Sequence, residues 1–573
     1  MRLTALTLKN FKGIDERGAR IEFAPITLLF GPNNVGKSTI LHALLYAREV
    51  LTKNNADPDS LAGAGANINL GGFYNFVHKH EITRTISLRF DFDIDEMPEY
   101  FVGSDIDNIS RSFDTIYLFA SIKNIGVECL ISYDTIKNQS FFDNYIVYIN
   151  DKKFCDLKLD HERGHVVFSG CNSLCLIDPF DELDFLLSLK DALILSEGER
   201  SKKIESAVEK YRNSVPDLLK TLHRDDYLFA ETVDVEPDIA GEFIKIQHKI
   251  SFAFTRGIPF DWYSIIPISI ETLEEADEDL LHGGQTEFYD LQRSVLSSLI
   301  LGPGKLLTEE LERLLYIGPL RAIPQRNFQP ACSPDINRWA NGLAAWDMLA
   351  TATNDQLKAV NHRLNNPDFL TTGYTIARRR SLPLDADGPL ALALRQSLLE
   401  DFDENSLPLL RAFLEQSPEI RVVLRNENTG VEVEPHDMGV GISQIIPIVV
   451  AAVFSKHDAL ITIEQPELHI HPAWQTTLGD IFIQAIHREN PPIFLLETHS
   501  EHLLLRLLRR IRNTHKGTAT ESTRLAHTDI AVHWIGTYEG RTEIYRLGLD
   551  EDGSFNTPWP EGFFDERGEE LFG

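Results

Sequence analysis

The chain has 573 residues, of which 43% are hydrophobic and 25% are charged, and this composition is ordinary for a globular protein. Lys and Arg number 55 and Asp and Glu number 86. The resulting net charge of −31 argues against a surface that coats nucleic acid without sequence preference. The 5 cysteines are too few for a disulfide scaffold and favour a reducing cytosol.

The sequence gives no sign of export or of a membrane span. Its first segment, MRLTALTLKNFKGI, alternates apolar and polar residues and lacks the apolar core of a signal peptide. The longest apolar run, residues 445–454, contains Pro447 and has about half the length of a membrane-spanning helix. We therefore expect this run to form a buried helix, and we expect a cytoplasmic protein without a membrane partner.

Predicted strands and helices alternate at both ends of the chain. Residues 1–50 predict strand, turn, strand, loop and helix, and the apolar run 26–30 is typical of a buried strand. Several strand-like runs between 82 and 177 predict an antiparallel subdomain. Residues 178–310 become more helical and more charged but keep strand signals, and alternation resumes from 419 onward. The sequence thus predicts an α/β protein with an insertion.

The strongest local motif is a phosphate-binding loop. The run GPNNVGKS from Gly31 to Ser38 fits GxxxxGK[ST] and lies between a predicted strand and a predicted helix, as the motif requires. Its glycines let backbone N–H groups point at phosphate, and the following helix N-terminus adds partial positive charge. The Lys is expected to reach the β- and γ-phosphates and the Ser to coordinate Mg²⁺. The expected nucleotide contacts are Gly31, Asn33, Asn34, Gly36, Lys37, Ser38 and Thr39.

A second cluster lies about four hundred residues later. The apolar strand 459–463 ends in Glu464-Gln465-Pro466-Glu467, and an acid at the end of such a strand can hold Mg²⁺ beside a phosphate loop. We therefore predict Glu464 as the metal-site acid, with an exposed acidic turn as the alternative.

Two further segments flank this acidic strand. Upstream, Gly439, Gly441, Ser443 and Gln444 precede an apolar helix and resemble an anion site, although glycine turns before helices are common. Downstream, the apolar strand 493–496 is followed by Glu497-Thr498-His499-Ser500. A histidine at the carboxyl end of a strand can contact a γ-phosphate, and a buried structural histidine is the alternative.

The order of these motifs resembles the ABC-type, SMC-like P-loop ATPase head. In that family the Gly/Ser signature shortly precedes the acidic strand, and a histidine follows the next strand. The runs NFKGI, GPNNVGKST, GVGISQ, EQPELHIHP and ETHSEHLL are similar to the overcoming-lysogenization and Septu-type ATPases of bacterial phage defence, including retron-associated relatives. LGGFYNFVHKH near residue 75 and YIGPLRAIPQR near residue 320 are also similar to that group.

The resemblance implies an ABC-type P-loop ATPase head with an antiparallel β subdomain and a mixed, partly helical insertion. The expected division is 1–177 for the phosphate-loop lobe and β subdomain, 178–310 for the insertion, and 311–573 for the remainder of the head. No sustained heptads are present, so the long coiled-coil arms of chromosome-structure ATPases are not expected.

The resemblance also implies roles for matched residues, with ATP and Mg²⁺ as cofactors. Lys37 and Ser38 hold the phosphates and the metal, Glu464 is the second metal ligand, and His499 is the switch histidine. The signature residues Gly441, Ser443 and Gln444 meet ATP bound to another subunit, and the segment 468–472 crosses the dimer interface.

One position departs from the family pattern. The general-base glutamate usually follows the metal acid directly, but this chain has Gln465 there. A glutamine can orient a water molecule but cannot take its proton. The sequence therefore predicts either slow hydrolysis or Glu467 as the base.

Several other clusters have plainer structural explanations. Two histidines and two cysteines between 161 and 175 could bind Zn²⁺ or could be strand and turn residues. Alternating aspartates at 91–95 could form a nuclease metal site or one charged face of a strand. The arginines at 378–380 and at 509, 510 and 512 could contact nucleic acid or lie on solvated faces. Asp550-Glu-Asp552-Gly553 is more typical of a turn than of a calcium loop.

Three classes of function compete. The favoured one is an ATPase of an antiviral defence system that pairs with itself and controls or scaffolds a separate effector, such as an HNH-type nuclease, with a reverse transcriptase and non-coding RNA as further candidate partners. The alternative is a DNA-repair or recombination ATPase that clamps nucleic acid. A transporter subunit is disfavoured by the insertion and by the divergent signature. No clustered carboxylates on predicted strands follow His499, so no nuclease domain is expected in this sequence.

Overall fold

The computed structural model describes most of both ends of the chain and less of its middle. The described residues are 2–53, 70–94, 122–160, 165–171, 229–237, 244–252, 258–259, 286–326, 328–331, 336–397, 407–416, 418–455 and 458–560. The chain divides into two compact units that interleave in sequence. The first comprises Met1–Phe23, Pro32–Arg313 and Ile535–Arg546, and the second comprises Ala24–Gly31, Leu314–Trp534 and Leu547–Gly573.

The secondary structure mixes strands and helices, as the sequence predicts. The strands are β1 Arg2–Lys9, β2 Ala19–Glu22, β3 Ile26–Phe30, β4 Ile86–Asp93, β5 Asn124–Asp134, β6 Gln139–Ile149, β7 Lys152–Asp160, β8 His165–Cys171, β9 Phe229–Pro237, β10 Ile244–Phe252, β11 Ile258–Pro259, β12 Leu315–Ile317, β13 Tyr374–Ser381, β14 Glu419–Asn426, β15 Glu432–Val433, β16 Leu460–Glu464, β17 Ile493–Glu497, β18 Ile530–Tyr538 and β19 Arg541–Leu547. The helices are α1 Lys37–Lys53, α2 Phe73–Phe76, α3 Thr286–Glu312, α4 Leu343–Thr351, α5 Asn354–Asn365, α6 Pro389–Ser397, α7 Leu407–Leu414, α8 Val440–Phe454, α9 Pro472–Ile486 and α10 Glu501–His515.

The first unit is built on an antiparallel sheet. Its strand order is β2-β1-β4-β5-β6-β7-β8-β10-β9, and β11 pairs with β8. The N-terminal strand therefore lies between β2 and β4, with Leu6 opposite both Ile21 and Phe90. The antiparallel subdomain expected between 82 and 177 is confirmed, and it continues into β9 and β10, which lie within the expected insertion.

Two separated sequence stretches, NFKGI and LGGFYNFVHKH, pack together in the first unit. The Lys12 amide donates to the Phe76 carbonyl at 2.7 Å, and the His78 ring contacts the Lys12 carbonyl at 2.9 Å. The Phe11 ring is buried with its centroid 6.1 Å from that of Tyr46 on α1 and 5.9 Å from that of Phe76. The two stretches thus form one aromatic cluster beneath the helix that follows the phosphate loop.

The second unit is built on a parallel sheet. Strands β12, β16, β17, β3 and β18 are neighbours in that order, and all four pairings are parallel. Every residue of β3, β16 and β17 is buried, which fits their continuous apolar sequences because a parallel sheet is covered on both faces. Strand β18 begins in the second unit and ends in the first, where β19 follows it in the chain.

The apolar run 445–454 forms part of helix α8, so the expectation of a buried helix is confirmed. All residues of this helix from Ile442 to Ala452 are buried, and its isoleucines, its alanines and Phe454 belong to the core cluster that includes Trp346 and Trp534. Pro447 lies inside this helix, and no described helix is long and apolar enough to cross a membrane.

Three arginines of the basic clusters have structural partners. Arg378 on β13 donates to the Ala352 carbonyl at 2.6 Å, and Arg379 pairs with Glu432 on β15 at 2.6 Å. On α10, Arg510 binds the buried Asp480 carboxylate of α9 through two hydrogen bonds of 2.7 and 2.9 Å. These arginines therefore tie neighbouring elements together.

Two other candidate metal sites meet different outcomes. Asp91 pairs with Arg20 and with Arg89, so its charge is neutralised within the sheet. His161 and Cys175 of the possible zinc site lie outside the described residues. Over the described part of the chain, no group of three His, Cys, Asp or Glu side chains could hold a metal ion. Most of 178–310 is also outside the described residues, and the predicted three-part division stays a prediction.

Candidate functional site

The phosphate loop joins the second unit to the first. Strand β3 leads into Gly31, and α1 begins at Lys37. Gly36 has φ 105°, a left-handed conformation that favours glycine, and its carbonyl accepts the Thr39 amide at 3.0 Å. Lys37 is buried, and its Nζ donates to the Pro32 carbonyl at 2.7 Å, so the ammonium group lies inside the loop. Positive φ, a helix N-terminus and an enclosed cation together suit a bound phosphate.

The loop is supported by Thr542 of β19, a residue that the sequence analysis did not identify. The Thr542 hydroxyl donates to the Val35 carbonyl at 2.9 Å, and its amide donates to the Gly13 carbonyl at 2.9 Å. A Cβ atom on Gly36 would lie 3.0 Å from the Thr542 hydroxyl, and one on Gly13 would lie 2.4 Å from it. Only glycine leaves room for Thr542 at position 13. The Thr542 side chain packs between the segments that contain Gly13 and Gly36.

The second unit brings three strand ends to one edge of its sheet. Glu464, the last residue of β16, lies opposite Glu497, the last residue of β17, and Glu497 lies opposite Leu29 of β3. The Thr498 amide also donates to the Leu29 carbonyl at 3.1 Å. Because parallel strands end at the same edge, Gly31 begins the phosphate loop from the edge where the two glutamates lie.

Glu464, the predicted metal-site acid, is buried at the end of β16. Its Oε1 accepts a hydrogen bond from the Tyr316 hydroxyl at 2.7 Å. Burial, reinforced by the charge and the hydrogen bond of Glu464, raises the pKa of Tyr316. Tyr316 therefore stays protonated and donates, and it orients the Glu464 carboxylate.

Residues 465–467 form a turn that is anchored to the next strand end. Gln465 has φ 44°, and its amide donates to the Glu497 carbonyl at 2.8 Å. The Glu467 carboxylate accepts the Thr498 hydroxyl at 2.8 Å and the His499 amide at 2.7 Å. Burial raises the pKa of Glu467, although these hydrogen bonds oppose the rise. Glu467 thus holds the predicted switch histidine beside the predicted catalytic turn.

The Gly/Ser signature begins helix α8. Gly439 is the N-cap residue, and Gly439 and Val440 are exposed. The Ser443 and Gln444 side chains are buried, with exposed fractions of 1% and 4%, so neither reaches the surface of its own protomer. A Cβ atom on Gly441 would lie 3.0 Å from the His469 carbonyl, which places the start of α8 against the segment 468–472.

Arg321 is the second important residue whose role the sequence analysis did not find. It lies in the run YIGPLRAIPQR and is 3% exposed. Its Nη2 donates to the carbonyls of Glu464 and Gln465 at 2.7 and 3.1 Å. Arg321 belongs to a run that resembles the family, but the sequence pattern does not indicate that it contacts the acidic turn.

We predict that Thr542→Val weakens nucleotide binding. Valine has nearly the same shape as threonine but cannot donate a hydrogen bond to the Val35 carbonyl, so the loop loses a constraint on its conformation. A lost bond of about 1 kcal/mol corresponds to a roughly fivefold higher Kd for ATP. Isothermal titration measures this change. Tyr545→Phe is the matched control because Tyr545 lies on the same strand and is 47% exposed. Equal affinity in Thr542→Val and Tyr545→Phe would contradict the prediction.

Family models match most of the chain in three consecutive segments. Residues 1–229 match an AAA ATPase domain, and residues 268–506 match an AAA domain described as a putative AbiEii toxin of a type IV toxin–antitoxin system. Residues 525–572, which include Thr542, match a family of unknown function, DUF3696. No curated protein matches the chain.

The solved structures that are similar to this chain include SMC heads. The chain is 9% identical to the head domain from Thermotoga maritima, with TM-score 0.32 and coverage of 96% of this chain and 100% of that one. It is 10% identical to a Pyrococcus furiosus head bound to the C-terminal domain of ScpA, with TM-score 0.34 and 96% of each chain covered. The Pyrococcus yayanosii head is 9% identical, with TM-score 0.33 and coverage of 96% and 98%. The two AAA models, together with the phosphate loop that the first of them contains, identify this chain as an ATPase.

Proposed function

We propose that the chain is the ATPase component of an anti-phage defence system and that it controls or scaffolds a separate effector, such as an HNH-type nuclease. The observation that carries the proposal is the sheet edge where β3 opens into the phosphate loop and the next two strands, β17 and then β16, end in Glu497 and Glu464. The AbiEii description of the second family model and the resemblance to Septu-type and overcoming-lysogenization ATPases support the defence role.

In this proposal ATP binds with its phosphates on the loop amides and Lys37, and Mg²⁺ is held by Ser38 and Glu464. The metal supplies charge stabilisation for the transferred phosphoryl group. Tyr316 supports the proposal because its hydroxyl fixes the direction of the Glu464 carboxylate. His499 completes the site as the switch histidine, positioned through its amide by Glu467.

The proposed assembly is a nucleotide-dependent pair of heads. The buried Ser443 and Gln444 side chains leave the exposed residues 439 and 440 at the start of α8 to meet ATP bound to the partner subunit. Two large exposed apolar residues support a surface at this place. Val440 is 47% exposed and Leu320 is 75% exposed. Arg321, the residue after Leu320, is hydrogen-bonded to Gln444, which lies one helical turn after Val440.

We predict that Val440→Glu blocks pairing and leaves ATP binding by the isolated protomer unchanged. The exposed carboxylate repels the phosphates of the partner's nucleotide and does not disturb the core. Lys37→Ala should instead abolish ATP binding and, as a consequence, pairing. Sedimentation velocity with and without ATP, together with nucleotide titration, separates the two variants. ATP-driven pairing of Val440→Glu at the wild-type concentration would contradict the proposed interface.

We predict that Gln465→Glu raises the rate of ATP turnover at saturating ATP. The new carboxylate supplies the proton acceptor that glutamine lacks. Glu464→Gln should instead weaken Mg²⁺-dependent binding or hydrolysis because it removes the charge of the proposed metal site. The measurement is steady-state phosphate release over a Mg²⁺ titration. If Gln465→Glu has no effect and Glu467→Gln abolishes turnover, Glu467 is the base.

We predict that the purified chain does not cleave nucleic acid by itself. The assay uses plasmid, single-stranded DNA and tRNA with Mg²⁺ or Mn²⁺, and the same chain is also purified from a host that carries its native neighbouring genes. A nuclease, with or without a reverse transcriptase and non-coding RNA, should accompany it only in the second preparation. Phage plating should show protection that Lys37→Ala removes. If the chain alone cleaves nucleic acid, and a variant of this chain that lacks an acidic side chain does not, the proposal of a separate effector is wrong.

A further inference from the structure

Arg321 is a buried cation between the signature helix and the acidic turn. Its side chain contacts the turn through the carbonyls of Glu464 and Gln465. The pKa of Arg321 is lowered to about 10, because the effect of burial exceeds the opposing effect of the nearby carboxylates of Glu467 and Glu464. The guanidinium therefore remains charged at neutral pH and stabilises a turn that also carries negative charge.

The backbone of Arg321 is held by the signature helix. Gln444 Nε2 donates to the Arg321 carbonyl at 2.7 Å, and the Arg321 amide donates to Gln444 Oε1 at 3.3 Å. This reciprocal pair fixes one residue from both sides. Gln444 lies one turn after the exposed Val440, so any displacement of the start of α8 is transmitted to Arg321.

The arrangement is not one that packing alone would favour. Among the described residues, the Arg321 Nε and Nη1 atoms are buried without a hydrogen-bond partner. A buried charge with unsatisfied donors destabilises a fold, and an apolar side chain of the same size would pack there without that penalty. Meanwhile Gln465 holds φ 44°, which a non-glycine residue adopts only when its surroundings impose it.

We propose that Arg321 is a positioning residue that couples the signature helix to the acidic turn. Gln444 sets the backbone of Arg321, and the guanidinium in turn sets the carbonyls of Glu464 and Gln465. Engagement of the exposed start of α8 by a partner subunit thereby orients the Glu464 carboxylate and the Gln465 amide. The kinetic part of this inference rests on the proposed ATPase assembly, whereas the structural coupling can be measured without ATP.

The first test is hydrogen–deuterium exchange of the full chain without nucleotide. We expect Gln444→Leu to accelerate exchange in the backbone of residues 464–468, because Arg321 loses its anchor, although the hydrogen bonds of the Gln444 side chain go to Arg321 and not to those residues. Asn361→Leu is the matched control. Asn361 makes the same reciprocal pair with the backbone of Ile376, at 2.9 and 2.7 Å, elsewhere in the second unit. It should accelerate exchange near Ile376 and leave 464–468 unchanged.

The second test separates coupling from loss of stability by steady-state ATPase kinetics. We expect Arg321→Met and Gln444→Leu each to lower kcat by about tenfold with KM for ATP changed by less than about twofold. The double variant should be no slower than Arg321→Met alone, because both changes interrupt one connection. Arg321→Lys, which keeps the charge, should recover part of kcat. Asn361→Leu should keep the wild-type kcat at temperatures below its melting transition.

The coupling would be overturned if Gln444→Leu left exchange at residues 464–468 unchanged. It would also be overturned if the fold-loss of kcat in the double variant equalled the product of the losses in Arg321→Met and Gln444→Leu. If the wild-type chain does not pair when nucleotide is added, the proposed assembly is wrong instead. The exchange experiment would still decide whether Gln444 controls the turn through Arg321, so the two failures are distinguishable.

Discussion

The parallel alignment of β16, β17 and β3 is the constraint on which the rest of the second unit depends. Hydrogen bonding between parallel strands fixes which residues lie side by side, and here it aligns Glu464 with Glu497 and Glu497 with Leu29. A shift of one residue would turn each of these side chains to the opposite face of the sheet. Every residue of the three strands is buried, and the side chains on one face of the sheet belong to the core of the second unit.

Side chains beyond the strand ends convert this aligned edge into a precise arrangement. Tyr316 orients Glu464, Arg321 holds the two carbonyls that follow it, and Glu467 connects the turn to the His499 segment. Each contact crosses from one strand end to a different segment of the chain. A low local dielectric strengthens such contacts, and it also makes the loss of one partner costly for the remaining ones.

The sequence predicted the local parts of this site and missed the long-range ones. The phosphate loop and the acid after β16 were predictable because each depends on neighbouring residues and a strand that is visible as an apolar run. Thr542 and Arg321 were not predictable, since they lie 507 and 143 positions from the carbonyls of Val35 and Glu464 to which they donate. The burial of Gln444 was also missed, because a glutamine after a glycine turn gives no indication of which way its side chain points.

The position of Glu467 limits the chemistry that the turn can perform. Both of its carboxylate oxygens accept hydrogen bonds from the segment that carries His499. If Glu467 took a proton from water, its charge would be lost and the hydrogen bonds to Thr498 and to the His499 amide would weaken. Proton transfer to Glu467 would therefore loosen the segment that holds His499, the predicted switch histidine. Gln465 bears no charge and leaves that anchor intact. In the proposed assembly, slow hydrolysis and a long-lived closed pair of heads would both follow from this choice of residues, and both would suit an ATPase that holds an effector in one state until its nucleotide is lost.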